Sequence, residues 1–174
     1  MKRKEWGGRA PARTVVLLLA WVLGAALLGA GCARQEPPRD LLAEKKAAIA
    51  TVQRFGARLQ AVPLLAPRET LEPIMREQYG DLVSPSLLDS WLRDPSTAPG
   101  RLTSSPWPDR IDILGIRELS GSAWEVEGII VEVTSTEAAS GQAAATRPVT
   151  LTVRRSGDAW LIDRVQLGEY QPVP

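Results

Sequence analysis

Residues 122–135 read SAWEVEGIIVEVTS. Up to Glu127 the pattern alternates strictly: Trp124 and Val126 are apolar, Glu125 and Glu127 are charged, which is the period of a half-buried strand. At Ile129-Ile130-Val131 the alternation stops, and Val133 continues on the opposite parity. A period-2 pattern that changes phase means a bulge, a bend or burial on both faces. Gly128 sits at the change, and Gly115 holds a similar place in the preceding segment, RIDILGIREL (110–119). Two strands with a glycine at the break predict a strongly curved sheet.

The flanking segments extend that sheet. TRPVTLTVRR (146–155) and AWLIDRVQLGEY (159–170) are rich in Val, Ile, Trp and Thr and read as strands. Ser120-Gly121-Ser122 and Ser156-Gly157-Asp158 are short hairpin turns. The connection TEAASGQAAA (136–145) is long and Ala-rich, and reads as a mobile hairpin tip. Upstream, STAPGRLTSSPWPD (96–109) is a loop rich in Pro, Ser and Gly.

Helical signals come before that loop. Asp40 is an N-cap residue, and Leu42, Ile49, Val52, Phe55, Leu59 and Val62 recur on one helical face. The helix runs for about 22 residues until Pro63 stops it. A second helix lies in APRETLEPIMREQYGD (66–81), with Thr70 as its cap, Pro73 in its first turn and Gly80 at its end. The third starts at Ser84-Pro85, carries Leu87, Leu88, Trp91 and Leu92 on its apolar side, and closes at Asp94-Pro95. Three helices followed by four antiparallel strands is α+β segregation, with the helices covering one face of the sheet.

The N-terminus sets an address. MKRKEWGGRAPAR (1–13) carries five basic residues and one acid, and TVVLLLAWVLGAALL (14–28) carries no charge. Basic, then apolar, then small residues is the pattern of a secretory leader. No Arg-Arg pair precedes the apolar run, which points to the general secretory route. Gly29-Ala30-Gly31-Cys32 resembles the lipobox of bacterial lipoproteins, although Gly29 stands where that family usually carries Leu. The resemblance implies a diacylglycerol on the thiol of Cys32 and cleavage before it. Cys32 is the only cysteine, so it has no partner for a disulfide within the chain. The expected organisation is a signal peptide over 1–31, a Pro-containing flexible linker over 32–39, and a single domain over 40–174. Cleavage removes five of the 21 basic residues and one of the 20 acids, leaving 16 against 19. That charge lacks the basic excess nucleic-acid binding uses, so no nucleic-acid partner is expected. The partners expected are the membrane, through the lipid anchor on its extracytoplasmic face, and an envelope protein or a small apolar ligand.

The element order, with WLIDRVQLG (160–168) as the final strand, resembles the nuclear-transport-factor-2-like fold, the cone-shaped SnoaL-like and ketosteroid-isomerase-like architecture related to cystatin-like sheets. The resemblance implies three N-terminal helices packed on a curved four-stranded antiparallel sheet, preceded by a signal helix. SSPWPDRIDIL (104–114), EVTSTEAASG (132–141) and ATRPVTLTVRR (145–155) are also similar to small uncharacterised extracytoplasmic lipoproteins of Gram-positive bacteria, which imply no activity.

The chain has no histidine. That removes the commonest general base, the Ser-His and Cys-His nucleophile pairs and His-containing zinc sites. No Gly-rich phosphate loop is present, and no cofactor or metal is expected. Asp112, Glu125, Glu127, Glu132 and Asp163 fall on predicted strands, and Glu125 and Glu127 read as solvated outer-face residues. Trp91, Trp107, Trp124 and Trp160 read first as core residues and second as cavity walls. Trp107, held between Pro106 and Pro108 near the rim, is the leading candidate. Tyr79, Trp91, Trp107, Arg110 and Asp112 are therefore the candidates for a cavity or its rim. A non-catalytic binding or interaction module is the expected function. The alternative is an isomerase- or cyclase-like enzyme, which requires a carboxylate pointing into the cone within reach of Tyr79.

Overall fold

A computed structural model describes residues 39–173. The leader, Cys32 with its lipobox, and residues 32–38 of the linker lie outside the described residues. From Asp40 onward the chain forms one compact unit. Three helices come first: α1 (Leu41–Arg58), α2 (Arg68–Tyr79) and α3 (Pro85–Arg93). They are followed by β1 (Trp107–Ser120), β2 (Ala123–Val133), α4 (Ser135–Ser140), β3 (Ala145–Ser156), β4 (Ala159–Leu167) and β5 (Gln171–Pro172). The class is α+β, with an antiparallel sheet in the order β1-β2-β3-β4 and the short β5 paired to β3 at Ala145 and Thr146.

Helix α1 starts where the Asp40 carboxylate accepts the Ala43 N–H at 3.0 Å and ends in one 3-10 turn, Leu59–Ala61. Its buried stripe is Ala48, Thr51, Val52, Phe55, Gly56 and Leu59. Leu42, expected on that stripe, is 62% exposed, because it lies more than a turn ahead of Ala48, the first α1 residue in the core. The turn between them instead carries Glu44, whose carboxylate meets Arg155 of β3 at 3.4 Å. Thr51 Oγ1 donates to the Trp160 carbonyl at 3.1 Å and so ties α1 to β4. Helix α1 touches all four long strands.

Helix α2 begins earlier than Thr70. Pro67 is its N-cap, Thr70 is exposed, and Pro73 lies inside the helix rather than in its first turn. Pro73 has no N–H to give the Glu69 carbonyl, a loss that its exposed position lets water offset. Helix α3 starts as its sequence indicates, with Ser84 Oγ accepting the Leu87 N–H at 3.3 Å and Pro85 in the first turn. The segment before it lies along the free edge of β4: Ile162 N donates to Leu82 O and Ser84 N to Ile162 O, each at 2.8 Å. A covered edge is a poor template for aggregation.

The phase change in β2 resolves as burial on both faces. Strand β2 pairs with β3 without a register shift. Trp124, Val126 and Ile130 join the helix-facing core, while Val131 and Val133 are buried outside it, on the opposite face. In the β1–β2 ladder the irregularities fall in β1 instead, at Pro108/Arg110, Ile113/Gly115 and Glu118/Ser120. Gly115 and Gly128 mark one feature from two strands, since the middle shift separates the pairs Ile113↔Gly128 and Gly115↔Glu127. The Ala-rich connection is not an irregular tip. It folds into α4, where Thr134 and Glu137 form a reciprocal capping box and Gly141 ends the helix at φ 74°.

Candidate functional site

A pocket of about 440 Å³ lies between the end of the helical layer, the loop before β1 and the helix-facing side of β2 and β3. Its apolar wall is Leu59, Pro99, Leu102, Pro106, Pro108 and Ile130, and its polar groups include Glu132, Arg147 and Tyr170. The volume is in the range of small-molecule sites. The loop is fixed at its base, where Arg101 N donates to Val62 O at 2.8 Å and Leu64 N to Arg101 O at 2.9 Å. Gly100 is required there: a Cβ would lie 2.9 Å from both Val62 O and Leu64 Cγ.

Register places the polar side chains. Residues paired across an antiparallel ladder share a face. Ile130 pairs with Arg147 and Glu132 with Ala145, so Glu132 and Arg147 stand on the face that carries Trp124 and Val126. Arg147 Nε donates to the Gly168 carbonyl at 2.9 Å, which orients its guanidinium. Burial is the main force on Glu132 and raises its carboxyl pKa, partly opposed by the charge of Arg147. Burial, then the charge of Glu132, raises the Tyr170 phenol.

Five residues were expected at this cavity or its rim, and none of them lines it. Tyr79 and Trp91 are core. Tyr79 is fully buried, and its hydroxyl donates to Pro99 O at 2.8 Å from behind the pocket wall. Burial pushes its phenol far above the ordinary range. Tyr79→Phe leaves that carbonyl unpaired and is expected to cost about 1–2 kcal/mol; urea unfolding checks it, and an unchanged midpoint would show that the contact does not hold the wall. Trp107 belongs to β1 and pairs with Val133, which turns it to the opposite face while its neighbours Pro106 and Pro108 line the pocket. Arg110 is bound on the surface by Asp112, with Nε–Oδ1 at 2.9 Å, and by Asp109 at 3.0 Å. Asp112 pairs with Ile129 on the outer face.

Glu132 carried a signal in the sequence. It continues the parity of Trp124, Val126 and Ile130, so it is a charge at a core-facing position of β2. Of the carboxylates on the strands it alone lines the pocket. The carboxylate the enzyme alternative requires is therefore present, but the tyrosine near it is Tyr170 and not Tyr79.

The raised pKa fixes a pH dependence. The folded chain holds the Glu132 proton more tightly than the unfolded chain, so this stabilisation is complete below the unfolded pKa and is lost as pH rises through the folded one. Glu132→Gln is expected to raise Tm by roughly 1–2 °C at about pH 7 and to change little at about pH 3.5. Calorimetry at both pH values checks it; a lower Tm at neutral pH would mean that the charged form is held by partners.

Among the described residues no group of His, Cys, Asp and Glu is placed to hold a metal ion, and no helix is long and apolar enough to cross a membrane. No protein-family model, no curated protein and no solved structure matches the chain.

Proposed function

We propose that this chain is a lipid-anchored extracytoplasmic binding module, attached through Cys32, whose cone-like domain takes a small, largely apolar molecule. The observation that carries the binding role is the pocket: an apolar wall with a few polar groups, of ligand-sized volume. The anchor rests on the leader and on the lipobox-like Gly29-Ala30-Gly31-Cys32. Two acyl chains would give stable attachment, since each buried methylene adds about 0.8 kcal/mol.

The test follows the Ile130 methyl resonance of the full chain during titration with cyclohexanol. A saturable shift, lost in Thr103→Trp at the pocket mouth, is expected. A linear, unsaturated shift that Thr103→Trp leaves unchanged would refute binding in the pocket.

Glu132 favours a second reading, an isomerase- or cyclase-like enzyme, because a half-buried carboxylate of raised pKa is a competent general base. That reading expects the wild-type chain to accelerate deuterium exchange at the α-carbons of cyclohexanone and Glu132→Gln to abolish the acceleration. Equal rates in both would remove it.

A further inference from the structure

The pocket lining holds two opposite charges that do not satisfy each other. Glu132 and Arg147 share one face of adjacent strands, yet no N–O pair between them lies within 4 Å, the salt-bridge limit. Among the described residues, the Glu132 carboxylate receives no hydrogen bond, and the one hydrogen bond of the Arg147 side chain goes from Nε to Gly168 O at 2.9 Å. The remaining guanidinium N–H groups and the carboxylate oxygens are therefore open to a third group.

We propose that this third group is a carboxamide on an apolar body, its N–H donating to Glu132 and its carbonyl accepting from Arg147. The inference rests on the binding role above and specifies its ligand.

Charge selects against the simpler alternatives. A cation drawn to Glu132 would also face Arg147, and an anion drawn to Arg147 would face Glu132. Either ion would shed water against Leu59, Pro99 and Ile130, where an unpaired charge is costly. A zwitterion would do so twice. An amide carries its donor and acceptor on the two atoms bonded to one carbonyl carbon, with no net charge, so it meets both residues without that penalty. Hydrogen bonds to charged partners are the stronger kind, which makes the pair selective for an amide over an alcohol of the same shape.

The test titrates the full chain with cyclohexanecarboxamide, cyclohexanecarboxylate, cyclohexylmethylammonium, leucine (a zwitterion) and cyclohexanol, and reads the Ile130 methyl shift. The carboxamide is expected to bind at least about fivefold more tightly than any of the other four. Glu132→Leu and Arg147→Met are each expected to reduce that preference to about twofold or less. The wild-type ranking decides even where a variant fails to fold. Tighter binding of the carboxylate, the ammonium or leucine, or a preference that survives both substitutions, overturns the carboxamide assignment while leaving the pocket a binding site. No saturable shift with any of the five overturns both.

Discussion

Phe55→Ala is expected to destabilise the domain by about 3–5 kcal/mol, the range for removing a fully buried phenylalanine. Phe55 is the only phenylalanine in the chain and is completely buried. Its ring lies 5.0 Å from the ring of Tyr79 and 6.1 Å from that of Trp91, and the latter two are 5.6 Å apart. One side chain from each of α1, α2 and α3 thus meets at a point, and Phe55 is the member that also belongs to the helix lying across the sheet. Truncation forfeits the apolar transfer energy, leaves a cavity between three helices that cannot all collapse into it, and removes two ring pairs. A single domain has about 5–15 kcal/mol in total, so the loss is a large share of it. Urea unfolding would show a lower midpoint with an unchanged slope. A loss below about 1.5 kcal/mol would mean that the helices repack freely and that the trio is not the centre of the core.

Gly56→Ala is expected to destabilise by about 1–3 kcal/mol, through overpacking. Helix propensity argues the opposite, since alanine is favoured over glycine by about 1 kcal/mol within a helix. Contact decides the sign. A Cβ on Gly56 would lie 2.7 Å from the backbone N of Ile111 and 3.0 Å from Ile111 Cγ1. Backbone cannot swing aside as a side-chain tip can, so α1 would have to lift off β1 along the line where helix and sheet approach. That shift would also move Leu59, one turn on, at the pocket wall. Thermal unfolding of the variant measures the effect. A higher Tm than wild type would contradict the close approach of α1 to the sheet.

The parts of this fold written in local chemistry were readable from sequence. Ser84-Pro85 announces the start of α3, Gly157 the β3–β4 hairpin, and the Val- and Ile-rich runs the strands. Gly56 shows where legibility ends: only packing reveals why Ala does not fit. Helix α4 was missed although Thr134 and Glu137 carry its capping box, because Ala- and Ser-rich composition between two strands reads as loop. The site was missed for a different reason. Tyr79 stands out by residue type but is taken up by the helical core, and Trp107 is turned away because a strand side chain's face is set by register, which depends on bulges in β1 that the sequence marks only at Gly115. Parity along β2 was the better guide, and it leads to Glu132. Arg147 and Tyr170 join it through the β2–β3 pairing and the turn after β4, which are non-local relations that no periodicity encodes.

The proposed lipid anchor on Cys32 is tested most directly by the intact mass of the chain in the membrane fraction of a bacterial host. A mass equal to residues 32–174 plus a diacylglyceryl group, with Cys32→Ala abolishing that species, is the expected result. A mass that retains Met1, with Cys32 unmodified, would contradict it.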